Sequence, residues 1–125
     1  MVRRATVRFR KAVNAGRAEF RVGTIENLSC AAASFDKVCT VNTIYFWESL
    51  DAGFVEIRRV LRPGGLAVIG FLPKEHMDRM GMPSDIFTTR SSDEVSTAIE
   101  RAGFSQVRIE RRAASTAWNV VLATR

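Results

Sequence analysis

Apolar residues recur at three- and four-residue steps at Val2, Ala5, Phe9, Ala12 and Val13, which predicts an amphipathic helix over residues 2–15 with Gly16 as its stop. Residues 18–22 alternate, with Phe20 and Val22 on one side, and predict a short strand ended by Gly23. Residues 34–42 carry Phe35, Val38, Cys39 and Val41 and predict a second strand. Ser49 offers an N-cap. Leu50, Phe54, Ile57 and Leu61 then follow as one helical stripe. Arg62, Pro63, Gly64 and Gly65 stop that helix and turn the chain. Residues 66–72 form a continuous apolar run broken by Gly70, the pattern of a central strand buried on both faces. Residues 73–90 lack periodicity and predict an irregular stretch, a feature that is usually functional in a compact domain. Ser91 and Glu94 have capping-box spacing before a helical face of Val95, Ala98, Ile99 and Ala102, with Gly103 as its stop. Residues 107–110 and 118–123 predict two closing strands, a hairpin linked through residues 113–115.

The order α-β-β-α-β-α-β-β predicts an α/β fold with a mostly parallel sheet, helices on both faces and a C-terminal antiparallel β-hairpin. No linker or repeat interrupts it, so residues 1–125 are expected to form a single domain. A hydrophobic content of 46% excludes a disordered chain. The apolar runs fall well short of the roughly 18–20 residues that cross a bilayer, so no membrane partner is expected. Arg3 and Arg4 precede no apolar stretch, so no secretory signal is visible and a cytoplasmic location is expected. Cys30 and Cys39 lack ligand spacing, which predicts no metal and two buried, reduced thiols. The net charge of +6 is local: residues 1–21 hold seven basic side chains against one acidic, and the remainder balances. A basic helix suits nucleic acid or another acidic surface, but no stacking platform or helix-turn-helix pattern accompanies it. Nucleic acid is therefore not the expected partner, and a solvated helix face is the plainer reading.

Three segments in fixed order carry a family resemblance. They are Gly23-Thr24-Ile25-Glu26-Asn27-Leu28, then Ser34-Phe35-Asp36-Lys37-Val38, then the helix and turn from Phe54-Val55-Glu56-Ile57-Arg58-Arg59 through Val60-Leu61-Arg62-Pro63-Gly64-Gly65. With Ala102-Gly103-Phe104 before the closing hairpin, the chain resembles the class I S-adenosylmethionine-dependent methyltransferases, most closely the type 11 group. The resemblance implies a Rossmann-like sheet of strand order 3-2-1-4-5-7-6, S-adenosyl-L-methionine as cofactor, and methyl transfer to a small-molecule acceptor. It covers the C-terminal two thirds of such a domain. The Gly-rich loop of the form G-x-G-x-G and its flanking strands have no counterpart in the sequence, so the sheet is expected to be truncated and the chain to start part-way into the domain.

The resemblance further implies that Thr24, Ile25 and Glu26 lie against the cofactor's adenine, and that Asn42 and Thr43 flank its methionine portion. It assigns no catalytic residue. The acceptor-pocket candidates are Tyr45, Trp47, Phe71 and His76. Tyr45, Phe46 and Trp47 form either a pocket wall with a cation–π face for the sulfonium or ordinary packing between loop and helix. His76, the single histidine, is either a general base or a loop-packing residue. Met77, Met80 and Met82 either line an adaptable apolar pocket or belong to a disordered lid. A truncated sheet has open edges. Residues 18–22 are then expected to slide in beside strand 34–42, or two chains to pair edge to edge as a homodimer. The alternative function is a non-catalytic remnant acting as an interaction or nucleic-acid-binding module through its basic N-terminal helix.

Overall fold

The computed structural model describes residues 1–111 and 117–125. Its centre is built on the helical stripe. Ser49 caps helix α3 (Leu50–Val60) by accepting the Ala52 N–H at 3.1 Å, and Leu50, Phe54, Ile57 and Leu61 are all buried. Strand β1 (Phe35–Val41) precedes α3, and strand β2 (Leu61–Phe71) follows it. The two strands pair in parallel, which a crossover through α3 makes possible. The capping box forms as expected: Ser91 Oγ accepts the Glu94 N–H at 3.1 Å, and the Glu94 carboxylate accepts the Ser91 N–H at 2.7 Å. That box starts helix α5 (Ser92–Arg101), whose buried Val95, Ala98 and Ile99 face α3 and the sheet. Strands β3 (Ser105–Arg111) and β4 (Asn119–Thr124) then pair antiparallel, and β4 pairs antiparallel with β2. The residues 113–115 expected to link them lie outside the described residues.

The sheet order is β1-β2-β4-β3. This matches the 4-5-7-6 half of the order that the resemblance implied, so the α/β class is the observed one. Two details are sharper than the expectation. Among the described strands one pairing is parallel and two are antiparallel, because β4 inserts between β2 and β3. Helices α3 and α5 lie on one face, where Ala67, Ile69, Phe71, Val121 and Ala123 are buried. Leu66, Val68, Val120 and Leu122 point to the opposite face and are half-buried, so β2 is less enclosed than its unbroken apolar run suggests.

Other expectations are corrected. The N-terminal helix is two short ones, α1 (Val2–Arg8) and α2 (Arg10–Asn14), separated at Phe9 (φ −107°, ψ 25°). Gly16 stops α2 at φ +70°, where the following Arg17 N–H reaches back to the Ala12 carbonyl at 2.8 Å. Residues 18–22 form no strand: among the described residues no strand pairs with them, and Val22 is 89% exposed. An isolated strand leaves its backbone to water. They therefore do not slide in beside β1. The stretch 73–90 is not wholly irregular, since residues Lys74–Arg79 form helix α4. Cys39 is exposed on the outermost strand rather than buried, and Cys30 is half-buried; both are free.

Candidate functional site

The carboxyl end of β1 is where the chain leaves the sheet, and open α/β sheets bind ligands at such ends. Asn42, the next residue, adopts φ +56°. Asn tolerates this left-handed conformation better than other non-glycine residues. Thr43 follows, then a 3-10 turn (Ile44–Phe46) and Trp47. Thr40 Oγ1 and Thr43 Oγ1 share a short hydrogen bond that closes this corner.

Two cavities flank the Asn42–Thr43 corner. The first, of about 310 Å³, is walled by Val22, Ile25, Leu28 and Trp47, with the Thr24, Thr40 and Thr43 side chains at its margin. It brings together Thr24, Ile25, Thr43 and Trp47. Trp47 fits there because Gly53 of α3 has no side chain: a Cβ at Gly53 would stand 2.7 Å and 2.9 Å from two atoms of the indole ring. Trp47 also meets Phe54 edge-on, with ring centroids 5.2 Å apart.

The second cavity, of about 170 Å³, is lined by Asn42, Tyr45, Phe46, Leu72, Met77, Met80, Met82 and Phe87. The stretch after β2 folds back to close it. Thr88 N–H donates to the Tyr45 carbonyl at 3.0 Å, and Phe87 packs on Phe46 with centroids 5.2 Å apart. The Met residues thus line an apolar pocket. Tyr45 is buried, and its hydroxyl accepts the Leu72 N–H at 2.6 Å while lying 3.1 Å from Asn42 Oδ1. It ties the end of β1 to the end of β2. Burial pushes its pKa up, partly offset by the Leu72 bond, so it stays a neutral phenol at physiological pH.

Three candidates lie elsewhere. Glu26 accepts the Glu48 N–H at 3.1 Å, bracing the first cavity from outside. Phe71 is fully buried among core residues and walls neither cavity. His76 lines a separate polar cleft of about 420 Å³ with Glu75, Arg79, Asp93, Arg111 and Asn119.

Sequence reasoning missed the residues that hold the first cavity in place. Glu56, 9% exposed on the otherwise apolar face of α3, accepts the Leu28 N–H at 2.8 Å. It also takes both guanidinium bonds of Arg59, at 2.7 Å and 2.8 Å. Arg59 in turn donates to the carbonyls of Leu28 and Cys30 at 3.0 Å and 2.8 Å. The pair therefore clamps the irregular segment 24–30 onto α3. The Arg59 hydrogen bonds, more than the Leu28 N–H, hold the Glu56 carboxyl below the usual carboxylate range against the opposing effect of burial. The available signal was a Glu–Arg pair three residues apart within the helix motif.

Comparison with known proteins bears on this arrangement. A family model described as a methyltransferase domain matches residues 1–69. An uncharacterized methyltransferase of Bacillus subtilis (strain 168), YdaC, is 40% identical over 53 residues; the match takes in 42% of this chain and 29% of that protein, under a third of its length. A Thermotoga maritima structure described as an S-adenosylmethionine-dependent methyltransferase, possibly a histamine N-methyltransferase, superposes with a TM-score of 0.72 at 22% identity, covering 93% of this chain and 69% of that one. The cyclase SpnF superposes with a TM-score of 0.82 at 15% identity, covering 99% of this chain and 62% of that one. At these identities the two structures establish the shared fold alone.

Proposed function

The chain belongs to the methyltransferase-domain family of class I, and from that premise we propose that its two cavities form the adenine end of an S-adenosyl-L-methionine site and the pocket for a small apolar methyl acceptor. The observation that carries this reading is their position on either side of one corner, Asn42–Thr43. The residues present fit the adenine end of the cofactor. Ile25, Leu28 and Trp47 offer apolar surface for a flat ring. The backbone at Gly23 has open space beside it, since an added Cβ would meet nothing within 4 Å.

When bound, the cofactor supplies an electrophilic methyl group on a sulfonium. The chain's own residues then have positioning tasks. Trp47 and Ile25 hold the ring. Thr43 lines the first cavity and Asn42 the second. Tyr45, fixed by Leu72, keeps the corner between them in shape, and its neutral hydroxyl is a hydrogen-bond donor rather than a base. Phe46, Phe87 and the three Met residues keep water from the acceptor. His76 faces a different cleft, so an acceptor that needs early deprotonation is disfavoured by this reading.

The test is calorimetry with S-adenosylhomocysteine. Saturable binding in the micromolar range is expected, weakened several-fold by Trp47→Ala. No heat at millimolar ligand would overturn the reading for this chain.

A second reading rests on α1 and α2. They bury no residue and present Arg3, Arg4, Arg8, Arg10 and Lys11. If they serve an acidic polymer, binding to mixed oligonucleotides falls steeply with salt. A flat or absent response leaves them as a solvated surface.

A further inference from the structure

The polar cleft of about 420 Å³ that holds His76 has no task in the cofactor reading. Its walls come from residues 73–119, on the far side of β2 from β1. They are α4, the start of α5, and the paired residues Arg111 and Asn119 of β3 and β4. Asn119 is 6% exposed and lies on the same sheet face as Val121 and Ala123. Its Nδ2 donates to Ser92 Oγ at 2.6 Å, and its Oδ1 has no partner among the described residues while staying open to the cleft. A carbonyl oxygen this deeply placed is costly to leave without a donor, and here the donor has to come from the cleft. Around it stand exposed charges of both signs, Glu75, Arg79, Asp93 and Arg111. Among the described residues Glu75, Arg79 and Asp93 form no ion pair. Spacing does not explain this. Glu75 and Arg79 are four apart with the acidic residue first, the better order for a helical pair. They stay open, whereas Lys74 and Asp78 of the same helix close to 2.9 Å.

We propose that this cleft binds a small zwitterion with an ammonium and a carboxylate on neighbouring carbons, the pattern of an α-amino acid. The Arg79 guanidinium, with Arg111 as a second cation, takes the carboxylate. Asp93 and Glu75 take the ammonium, which also supplies the N–H that Asn119 Oδ1 lacks. The mixed lining selects this class. A plain anion would meet two carboxylates, and a plain cation would meet two guanidinium groups. A zwitterion satisfies both sets at once. The volume suits a small molecule rather than a length of chain. His76 is half-buried in the same lining and adds a hydrogen-bonding ring nitrogen. Met77 of the same helix lines the second cavity, so the cleft borders the proposed acceptor pocket. The inference does not depend on the cofactor reading.

The probes are L-alanine and its two halves: propionate, which lacks the ammonium, and ethylamine, which lacks the carboxylate. His76 is the single histidine, so its ring signals in proton NMR report on the cleft without ambiguity, at fixed pH and ionic strength. L-Alanine is expected to shift them saturably, with a dissociation constant about tenfold below that of either half, the gain from one further charge-assisted contact. Arg79→Gln should weaken L-alanine several-fold and leave ethylamine unchanged. Asp93→Asn should weaken L-alanine several-fold and leave propionate unchanged. Both side chains are exposed, so the variants should retain the parent's circular dichroism. No saturable shift up to the solubility of L-alanine would overturn the proposal. So would propionate or ethylamine binding as tightly as L-alanine, which marks a plain ion site. The same holds if both substitutions change all three probes alike.

Discussion

Glu56→Ala is expected to lower stability by about 2–3 kcal/mol and to release the segment 24–30 from α3. Three consequences combine. Leu28 N–H loses its acceptor, Arg59 loses both of its carboxylate bonds, and a void opens on the apolar side of α3. Arg59 is 38% exposed, so water recovers part of the loss and the figure stays below that for a fully buried ion pair. Chemical denaturation measures the stability change. Hydrogen exchange at Leu28 reads the local release, which a loss of core packing alone would not produce. S-adenosylhomocysteine affinity should fall with it, because Ile25 and Leu28 wall the first cavity. Glu56→Gln should be milder, since the amide oxygen still accepts the Leu28 N–H.

The same clamp sets a pH dependence. A carboxyl whose folded pKa is depressed contributes stability that is fully present above its unfolded pKa and is lost as pH falls through the folded one. Glu56 and Glu94 are both of this kind. The Arg59 bonds act first on Glu56, and the Ser91 N–H acts first on Glu94. Stability should therefore hold near neutrality and decline in acid, below the ordinary glutamate range. The stability difference between the parent and Glu56→Gln should shrink over that same window.

Gly65→Ala is the other large effect, expected to cost about 1–3 kcal/mol through overpacking. A Cβ at Gly65 would stand 2.8 Å from the Arg62 carbonyl oxygen and 3.1 Å from that of Asp36. Both are backbone atoms at the point where the crossover turn meets β1, and neither can move without shifting the β1–β2 pairing. Gly64 beside it has φ +78° but open space around it. Gly64→Ala then bears only the cost of the left-handed conformation, about 1 kcal/mol. Thermal unfolding should rank the parent first, Gly64→Ala second and Gly65→Ala last; the reverse order of the two variants would contradict this account of the turn.

Much of the scaffold was legible without coordinates. The stripe Leu50–Phe54–Ile57–Leu61, the Ser49 cap and the Ser91/Glu94 box are local signals, satisfied by residues within a turn or two of one another. They folded as written, except that the helix ends at Val60 and Leu61 already opens β2. The strand expected at residues 18–22 did not form, because a strand needs a partner and alternation alone supplies none. The continuous helix over residues 2–15 broke at Phe9, since no core packing enforces one axis there. Cys39 looked like an ordinary buried thiol, but its exposure depends on what lies beside β1.

The candidate site divides in the same way. Thr24, Ile25, Thr43 and Trp47 could be named from an ordered set of motifs, and folding gathers them into one cavity. Phe71 and His76 were plausible from their places at the end of the central strand and just after it, yet one is buried in the core and the other faces a different cleft. Order and spacing along the chain were enough for the central elements, their caps and the family, because those rest on periodicity and short-range bonds. The Glu56–Arg59 clamp on the segment 24–30 and the Asn42–Thr43 corner between two cavities appeared only in the folded chain. Each depends on contacts between residues distant in sequence, and no local pattern records which of them meet.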